Sequence, residues 1–392
     1  MNLQLEKAKV SDQQSRIKIT GSKSETNRLL LLKALYPNLS LENTSNSDDS
    51  EVMSKALQNE QNKTLNPQIV DVHHAGTAMR FLTAFFAIQE GKEVILTGST
   101  RMKERPIKIL VEALQQLGAE ISYEEQAGFP PLSIKGKKLT RSKVSLPANV
   151  SSQYISALLL IAPKLENGLE LTLEGEITSV PYIKMTLTLL NEIGVETSFV
   201  DNIISVHSQF TIHNSQFTIE SDWSSASYWY SIMALSEIGT EITLSSYKPN
   251  SLQGDSALVE IYSAFGVETI FENNSILLRK THNPKLTTHN LQLNNCPDIA
   301  QTIAVTCFGL GLPCHLTGLH TLKIKETDRL EALKAELTKL GAKVSVTHES
   351  LTLEPSENIN PNINPNISIK TYQDHRMAMA FAPLALKVPI VI

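Results

Sequence analysis

The chain has 392 residues, with 35 Lys and Arg against 40 Asp and Glu, a formal net charge of −5 and a hydrophobic fraction of 41%. That length predicts two domains rather than one core, and the composition is that of a soluble globular protein. The acidic balance argues against a general nucleic-acid or membrane surface, so any basic cleft is local.

Arg16–Thr20 reads as a strand, followed by Gly21-Ser22-Lys23-Ser24 at the head of a leucine-rich helix. Free N–H groups, Ser hydroxyls and a Lys there make a phosphate seat, although a plain Ser N-cap with a solvated Lys explains the same residues. The second glycine of a Walker loop is missing. Residues 58–67 read as a loop. His73-His74-Ala75-Gly76-Thr77 precedes an apolar helix; the histidines lack metal-site spacing, while Gly76 lets a small ligand approach the backbone at a helix start. Arg101–Pro106 carries three cations, with Pro106 expected at the first helical position and Arg105 aimed at that helix end. A basic surface loop is the alternative.

Ser151-Ser152-Gln153-Tyr154 and Ser179-Val180-Pro181-Tyr182 offer neutral donors, or ordinary caps. Asp298, in Pro297-Asp298-Ile299, is either a cap or, beside cations and a substrate hydroxyl, a general base. Lys325-Glu326-Thr327-Asp328-Arg329 places two cations and two carboxylates in little more than one helical turn, either as a solvated face or as one wall of an anion site. Residues 354–367 read as a turn-rich insertion, and Asp374-His375-Arg376-Met377 closes the series. Four basic knots on an acidic chain suggest cations gathered around an anionic ligand. Cys296, Cys307 and Cys314 lack metal spacing and read as reduced, buried thiols of a cytoplasmic protein. The N-terminus is unlike a signal peptide, and the longest apolar runs are too short to span a bilayer.

A repeat underlies these knots. Gly118, Gly194, Gly266 and Gly341 each follow an apolar helical run, at separations of 76, 72 and 75 residues. Upstream of each lies a strand ending in a turn, at Leu96-Thr97-Gly98, Leu173-Glu174-Gly175, Leu244-Ser245-Ser246 and Leu316-Thr317-Gly318. Each unit reads as strand, turn, amphipathic helix, closing glycine and strand. Leu41-Glu42-Asn43 followed by residues 48–58 reads as a fifth, degenerate copy. The fold class is therefore α/β.

No GxSxG, HExxH or GxGxxG pattern is present, which favours transfer between anionic small molecules without a cofactor or metal. Gly21–Arg28, Ala75–Arg80, Arg101–Pro106, Ser151–Gln153, Lys325–Arg329 and Asp374–Met379 occur in the order seen in 5-enolpyruvylshikimate-3-phosphate synthases, a family that the chain resembles from about residue 18 to 380. The resemblance implies transfer of the carboxyvinyl group of phosphoenolpyruvate to the 5-hydroxyl of shikimate 3-phosphate, by a cytoplasmic monomer. It implies a two-domain inside-out α/β barrel of βαβαββ units with pseudo-threefold symmetry. Residues 1–20 and 221–392 would form one domain and 21–220 the other, with the active site in the cleft between them.

By the same resemblance Lys23, Ser24, Arg28, Ser151, Ser152, Gln153, Ser179, Asp298 and Lys325 bind shikimate 3-phosphate. Lys23, Gly76, Arg105, Gln153, Arg329 and Arg376 bind phosphoenolpyruvate. Asp298 accepts the 5-hydroxyl proton, Glu326 protonates the methylene carbon, Lys325 assists either transfer, and Lys23 completes the catalytic set. The physics agrees, since two polyanions need several cations to share one cavity.

The chain departs from the usual family pattern at His74 and Thr321, where asparagine is common, and at Phe81, where proline is. Glyphosate sensitivity therefore does not follow from the resemblance. Relatives continue beyond the final Val-Pro-Ile with a further lysine-bearing segment, whereas this chain stops at Ile392, so weak turnover is expected of these residues. Two rivals stand beside this reading. One is the enolpyruvyl transferase acting on UDP-N-acetylglucosamine, which resembles this chain less because it has a reactive cysteine where Arg101–Pro106 stands. The other is a non-catalytic anion-binding protein.

Overall fold

The computed structural model describes residues 3–10, 15–58, 67–148, 151–175, 177, 180–355 and 367–392. Most of the expected loop at 58–67 and of the insertion at 354–367 lies outside the described residues, as does Ser179. The chain forms two compact units, Met1–Ile19 with Ser221–Ile392, and Thr20–Glu220.

In chain order the elements are β1 (Gln4–Leu5), β2 (Ser15–Ile17), α1 (Lys23–Leu35), β3 (Ser40–Glu42) and α2 (Asp48–Gln58). Next come β4 (Gln68–Asp71), α3 (Gly76–Ala87), β5 (Glu93–Thr97), α4 (Thr100–Lys103), α5 (Lys108–Gln116), β6 (Glu120–Tyr123) and β7 (Leu132–Lys135). β8 (Lys143–Pro147), α6 (Ser152–Ile161), β9 (Leu169–Glu174), α7 (Val180–Ile193), β10 (Thr197–Val200), β11 (Ile203–Val206) and β12 (Gln216–Thr218) complete the inserted unit. The other unit resumes with α8 (Trp223–Leu235), β13 (Glu241–Ser245), α9 (Leu258–Ser263), β14 (Val267–Glu272) and β15 (Ser275–Lys280). It ends with β16 (His289–Gln292), α10 (Ala300–Leu310), β17 (Cys314–Thr317), α11 (Arg329–Lys339), β18 (Val344–Val346), β19 (Leu351–Leu353), α12 (His375–Phe381) and β20 (Ile390–Val391).

Four sheets share one topology: β4-β5-β7-β6, β8-β9-β11-β10, β2-β13-β15-β14 and β16-β17-β19-β18. In each, the first two strands are parallel and the last two form an antiparallel hairpin, which is a βαβαββ unit. The copy containing β2 is interrupted: Ser15 pairs with Ile242 although the whole inserted unit lies between them in sequence. The degenerate fifth copy is β3, paired in parallel with β12 and followed by α2. A sixth is built from both chain ends, with β20 antiparallel to β1 and bridged in parallel to Ser368.

The glycines that mark the repeat all have positive φ, at 103° for Gly118, 109° for Gly194, 80° for Gly266 and 91° for Gly341. Behind three of them the next amide returns to a helix carbonyl: Ala119 to Leu114 at 2.9 Å, Val195 to Leu190 at 2.9 Å and Ala342 to Leu337 at 3.0 Å. A left-handed residue there turns the chain from helix into hairpin, and any side chain would be strained.

The helix joining the first two strands of each copy is apolar almost all round, which sends it to the interior. Every residue of α3 is buried, and α6 is buried except at Gln153. In the inserted unit α1, α3 and α6 pack against one another, and in the other unit α8, α10 and α12 do so. Helices thus fill the middle of each unit with the sheets outside them. Leu158, Phe85, Trp223 and Phe381 are among the side chains wholly removed from water there, and each contributes on the order of 2 kcal/mol or more. The three cysteines are free and buried, as read.

Candidate active site

An inner helix starts where its preceding strand ends, so its first turn lies at one edge of the unit. Those first turns carry Lys23, Ser24, Gly76, Ser152, Gln153 and Arg376. In the inserted unit, Ser22 caps α1 and accepts from Glu25 N at 3.4 Å, placing Lys23 and Ser24 in the first turn. Gly21 is required because a Cβ there would lie 1.8 Å from the Asn43 carbonyl oxygen. Ser151 caps α6, and the Gln153 side-chain amide donates to Thr77 Oγ1 on α3 at 3.1 Å. Arg28 is buried and donates to Thr186 Oγ1 at 2.7 Å, the Ser24 carbonyl at 2.8 Å, Ser156 Oγ at 2.8 Å and the Tyr182 carbonyl at 3.2 Å. Burial, only partly offset by Tyr182 and Glu25, lowers its guanidinium to about 10. Its ring neighbour is Phe81, 5.5 Å away.

Gly76 opens α3, and a Cβ on it would sit 2.6 Å from Arg105 Nη1. The space at this helix start is therefore filled by the Arg105 guanidinium, which would have to shift to admit a side chain at this position. The loop carrying Arg105 is braced from behind by Arg80, which donates to the Gly76 carbonyl at 3.2 Å, the Pro106 carbonyl at 3.1 Å and Met102 Sδ at 3.5 Å. Tyr154 Oη also donates to the Pro106 carbonyl, at 2.5 Å. Pro106 is not the first helical residue, contrary to the expectation: α5 starts at Lys108, and Arg101–Lys103 belong to the separate short helix α4. Two caps in succession, Ser99 and Ile107, divide what looked like one start. His74 Nδ1 is 2.8 Å from the Ser99 hydroxyl, tying its loop to this one.

The other unit holds a denser cluster. Arg329, 2% exposed, donates from Nη1 to Asp298 Oδ1 at 2.9 Å, from Nη2 to Glu326 Oε2 at 2.7 Å and from Nε to Asp374 Oδ2 at 2.7 Å. Lys325 Nζ lies 3.4 Å from Asp298 Oδ1, and Arg376 Nη2 lies 3.4 Å from Asp298 Oδ2. One carboxylate is thus shared by three cations. Burial opposes the charge on Arg329, but Glu326, Asp298 and Asp374 together outweigh it and the net shift is upward. Arg376 is raised for the same reason, with Asp298 its strongest partner. On Lys325 burial wins over Asp298, so its ammonium titrates below the ordinary range and gives up a proton more readily.

The Lys325–Arg329 run is not a helical turn, as had been expected. Residues 325–327 form a bend after a 3-10 segment, and Asp328 caps α11 by accepting from Leu330 N and Glu331 N, each at 3.2 Å. The cap explains the difference, because Asp328 ends the bend and leaves Lys325 and Glu326 on irregular backbone, Lys325 directed at Asp298 and Glu326 at Arg329. Asp298 is likewise no cap; it sits in the 3-10 turn before α10.

Lys23, Ser24, Gly76, Ser151, Ser152 and Gln153 therefore fall at the starts of α1, α3 and α6 in one unit, with Arg28 one turn into α1 and Arg105 on the loop against Gly76. Asp298, Lys325, Glu326, Arg329 and Arg376 form one ion network in the other. Sequence reasoning missed Asp374, which pairs with Arg329 and accepts from Arg376 N at 2.9 Å, although it stood in the quoted Asp-His-Arg-Met knot. It also missed Ser224, 3.3 Å from Arg376 Nη2, and the buried Asp255 that accepts from the Ser224 hydroxyl. No local pattern marks those two. Among the described residues no cluster of His, Cys, Asp and Glu is arranged to hold a metal. No helix there is long and apolar enough to cross a membrane.

Arg28, Arg105, Arg329 and Arg376 are buried cations near helix starts of a two-unit α/β protein, the residue type suited to small anions. The family profile of EPSP synthase (3-phosphoshikimate 1-carboxyvinyltransferase) matches residues 38–392. A curated 3-phosphoshikimate 1-carboxyvinyltransferase of Bacteroides fragilis is 46% identical over 377 residues, covering 96% of this chain and 89% of that protein. Those of Shewanella pealeana and Haemophilus influenzae are 36% and 35% identical, covering 94% and 97% of this chain. Solved structures of EPSP synthase from Acinetobacter baumannii share the fold, with a TM-score of 0.77 at 18% identity, covering all of this chain and 93–94% of theirs. The chain belongs to the EPSP synthase family.

Proposed function

We propose that the two residue sets serve one reaction, transfer of the carboxyvinyl group of phosphoenolpyruvate to the 5-hydroxyl of shikimate 3-phosphate with release of phosphate, on the way to chorismate and the aromatic amino acids. The single observation that carries the assignment of roles is the sharing of Asp298 by Lys325, Arg329 and Arg376. A carboxylate in that position has cations to receive a dianionic donor beside it and a lysine to pass a proton through.

In this reading Ser151, Ser152 and Ser179 seat the 3-phosphate, with Lys23, Ser24 and Arg28 on the same substrate and Gln153 between the two substrates. Lys23, Gly76, Arg105, Arg329 and Arg376 hold phosphoenolpyruvate. Asp298 takes the 5-hydroxyl proton as that oxygen bonds to C2 of phosphoenolpyruvate, and Glu326 gives a proton to C3. Lys325 assists either transfer. The tetrahedral adduct then loses a C3 proton and the C2–O bond to phosphate, restoring the vinyl group. Protein charges replacing water around both anions account for much of the acceleration. A monomer in the cytoplasm completes the proposal.

The test is phosphate release by the purified protein with phosphoenolpyruvate and either shikimate 3-phosphate or UDP-N-acetylglucosamine. Release with the first acceptor alone is expected. Release only with the second would assign the other enolpyruvyl transfer, and release with neither would leave an anion-binding protein.

A further inference from the structure

Glu336 is fully buried on α11 and takes no part in the roles assigned above. Its Oε1 accepts from the Tyr372 hydroxyl at 2.7 Å, and its Oε2 accepts from Lys370 N at 3.0 Å and Lys339 Nζ at 2.5 Å. The phenol of Tyr372 is pushed up to about 12 by burial and then by this carboxylate. Two turns earlier on the same helix face, Arg329 grips Asp374. The stretch 370–374 is therefore held against α11 at two points.

Between those points the backbone does something unusual. Tyr372 and Gln373 both have φ of 56°, two successive side chain-bearing residues in the left-handed region. Such backbone persists only where its surroundings enforce it. Directly after it come Asp374, which caps α12 and binds Arg329, and Arg376, which reaches Asp298. The turn fixes the direction from which the Arg376 guanidinium enters the ion network.

We infer that Glu336 is a positioning residue for phosphoenolpyruvate binding: its hold on Tyr372 and Lys370 enforces the left-handed turn that aims Arg376 at Asp298. The inference rests on the assignment of Arg376 to the phosphoenolpyruvate subsite. A residue of merely structural importance would lower stability without separating the two substrates, whereas misaiming Arg376 weakens one of them.

The experiment compares Tyr372→Phe, Glu336→Gln and Arg376→Gln in the full chain, measuring KM for each substrate and amide hydrogen exchange. Tyr372→Phe keeps the ring and removes only the hydroxyl, so a folded variant is expected. It should raise KM for phosphoenolpyruvate about fivefold with KM for shikimate 3-phosphate within about twofold, consistent with the loss of one hydrogen bond to a charge acting at second hand. Glu336→Gln, which keeps one acceptor oxygen, should shift KM in the same direction. Exchange should quicken at the amides of 370–376 and not in α8. Unchanged KM for phosphoenolpyruvate in Tyr372→Phe, alongside a raised value in Arg376→Gln, overturns the clamp and leaves the subsite standing. Unchanged values in both variants overturn the subsite assignment, and the inference with it. Equal rises for both substrates in Tyr372→Phe also overturn it.

Discussion

Arg28, in the second turn of α1, and Arg329, the first residue of α11, are both buried guanidiniums, yet they are held in opposite ways. The acceptors around Arg28 are hydroxyl and carbonyl oxygens, and burial lowers its pKa to about 10. Arg329 is gripped by three carboxylates, whose pull exceeds the burial penalty and raises its pKa. Arg80 repeats the first pattern, with carbonyl and thioether acceptors. A buried cation satisfied by neutral groups keeps its positive potential for an incoming anion. One surrounded by carboxylates is neutralised, and the carboxylates gain a defined geometry for moving protons. The contrast separates a cation that only seats an anion from one that also orders the carboxylates beside the anion it holds.

The sharpest way to break that contrast is to remove each guanidinium while keeping volume. Arg329→Met takes the guanidinium from Asp374 and Glu326 and one of three cations from Asp298, and should destabilise the chain by about 3–5 kcal/mol, measured by urea unfolding. Arg28→Met leaves hydroxyl and carbonyl acceptors unpaired, with Glu25 losing only a weaker charge interaction, and should cost about 1–3 kcal/mol. Equal losses would erase the distinction.

Asp255 sharpens it through pH. Burial first, then repulsion from Asp298, raise this carboxyl to about 7. Its folded-state pKa is above the unfolded value of about 4, so the folded chain keeps a proton that the unfolded chain has released between pH ~4 and ~7. Stability therefore falls as pH rises across that window and levels off above it, with a contribution of about 2–4 kcal/mol. Asp255→Asn should flatten the slope, read from unfolding midpoints at pH 5 and 7.5. At the small end, Glu104→Ala breaks the exposed Arg101–Glu104 pair of 3.0 Å and should change stability by less than about 0.5 kcal/mol. A larger effect would show that the α4 loop is held by that pair and not by Arg80 and Tyr154.

Much of this was legible in the sequence where chemistry is local. Gly118, Gly194, Gly266 and Gly341 announced the repeat because a left-handed helix end admits little else. The basic knots were legible because helix starts concentrate polar residues on a few consecutive positions. The bend at Lys325–Thr327 was misread because a cap by Asp328 and a solvated helical turn draw on the same charged residues. Asp255, Ser224 and Glu336 were silent, since their significance comes from burial beside partners 31 to 36 residues away or farther. The split of β2 from β13 was beyond local pattern for the same reason, a whole unit lying between paired strands.

The most direct test of the account is a single-turnover measurement of phosphate release by Asp298→Ala with both substrates saturating. Asp298 is read as the group that takes the 5-hydroxyl proton, and loss of a general base costs roughly 10²–10⁴-fold. The account predicts a fall of that size, with phosphoenolpyruvate still bound through Arg105, Arg329 and Arg376. Turnover at the parent rate would contradict it.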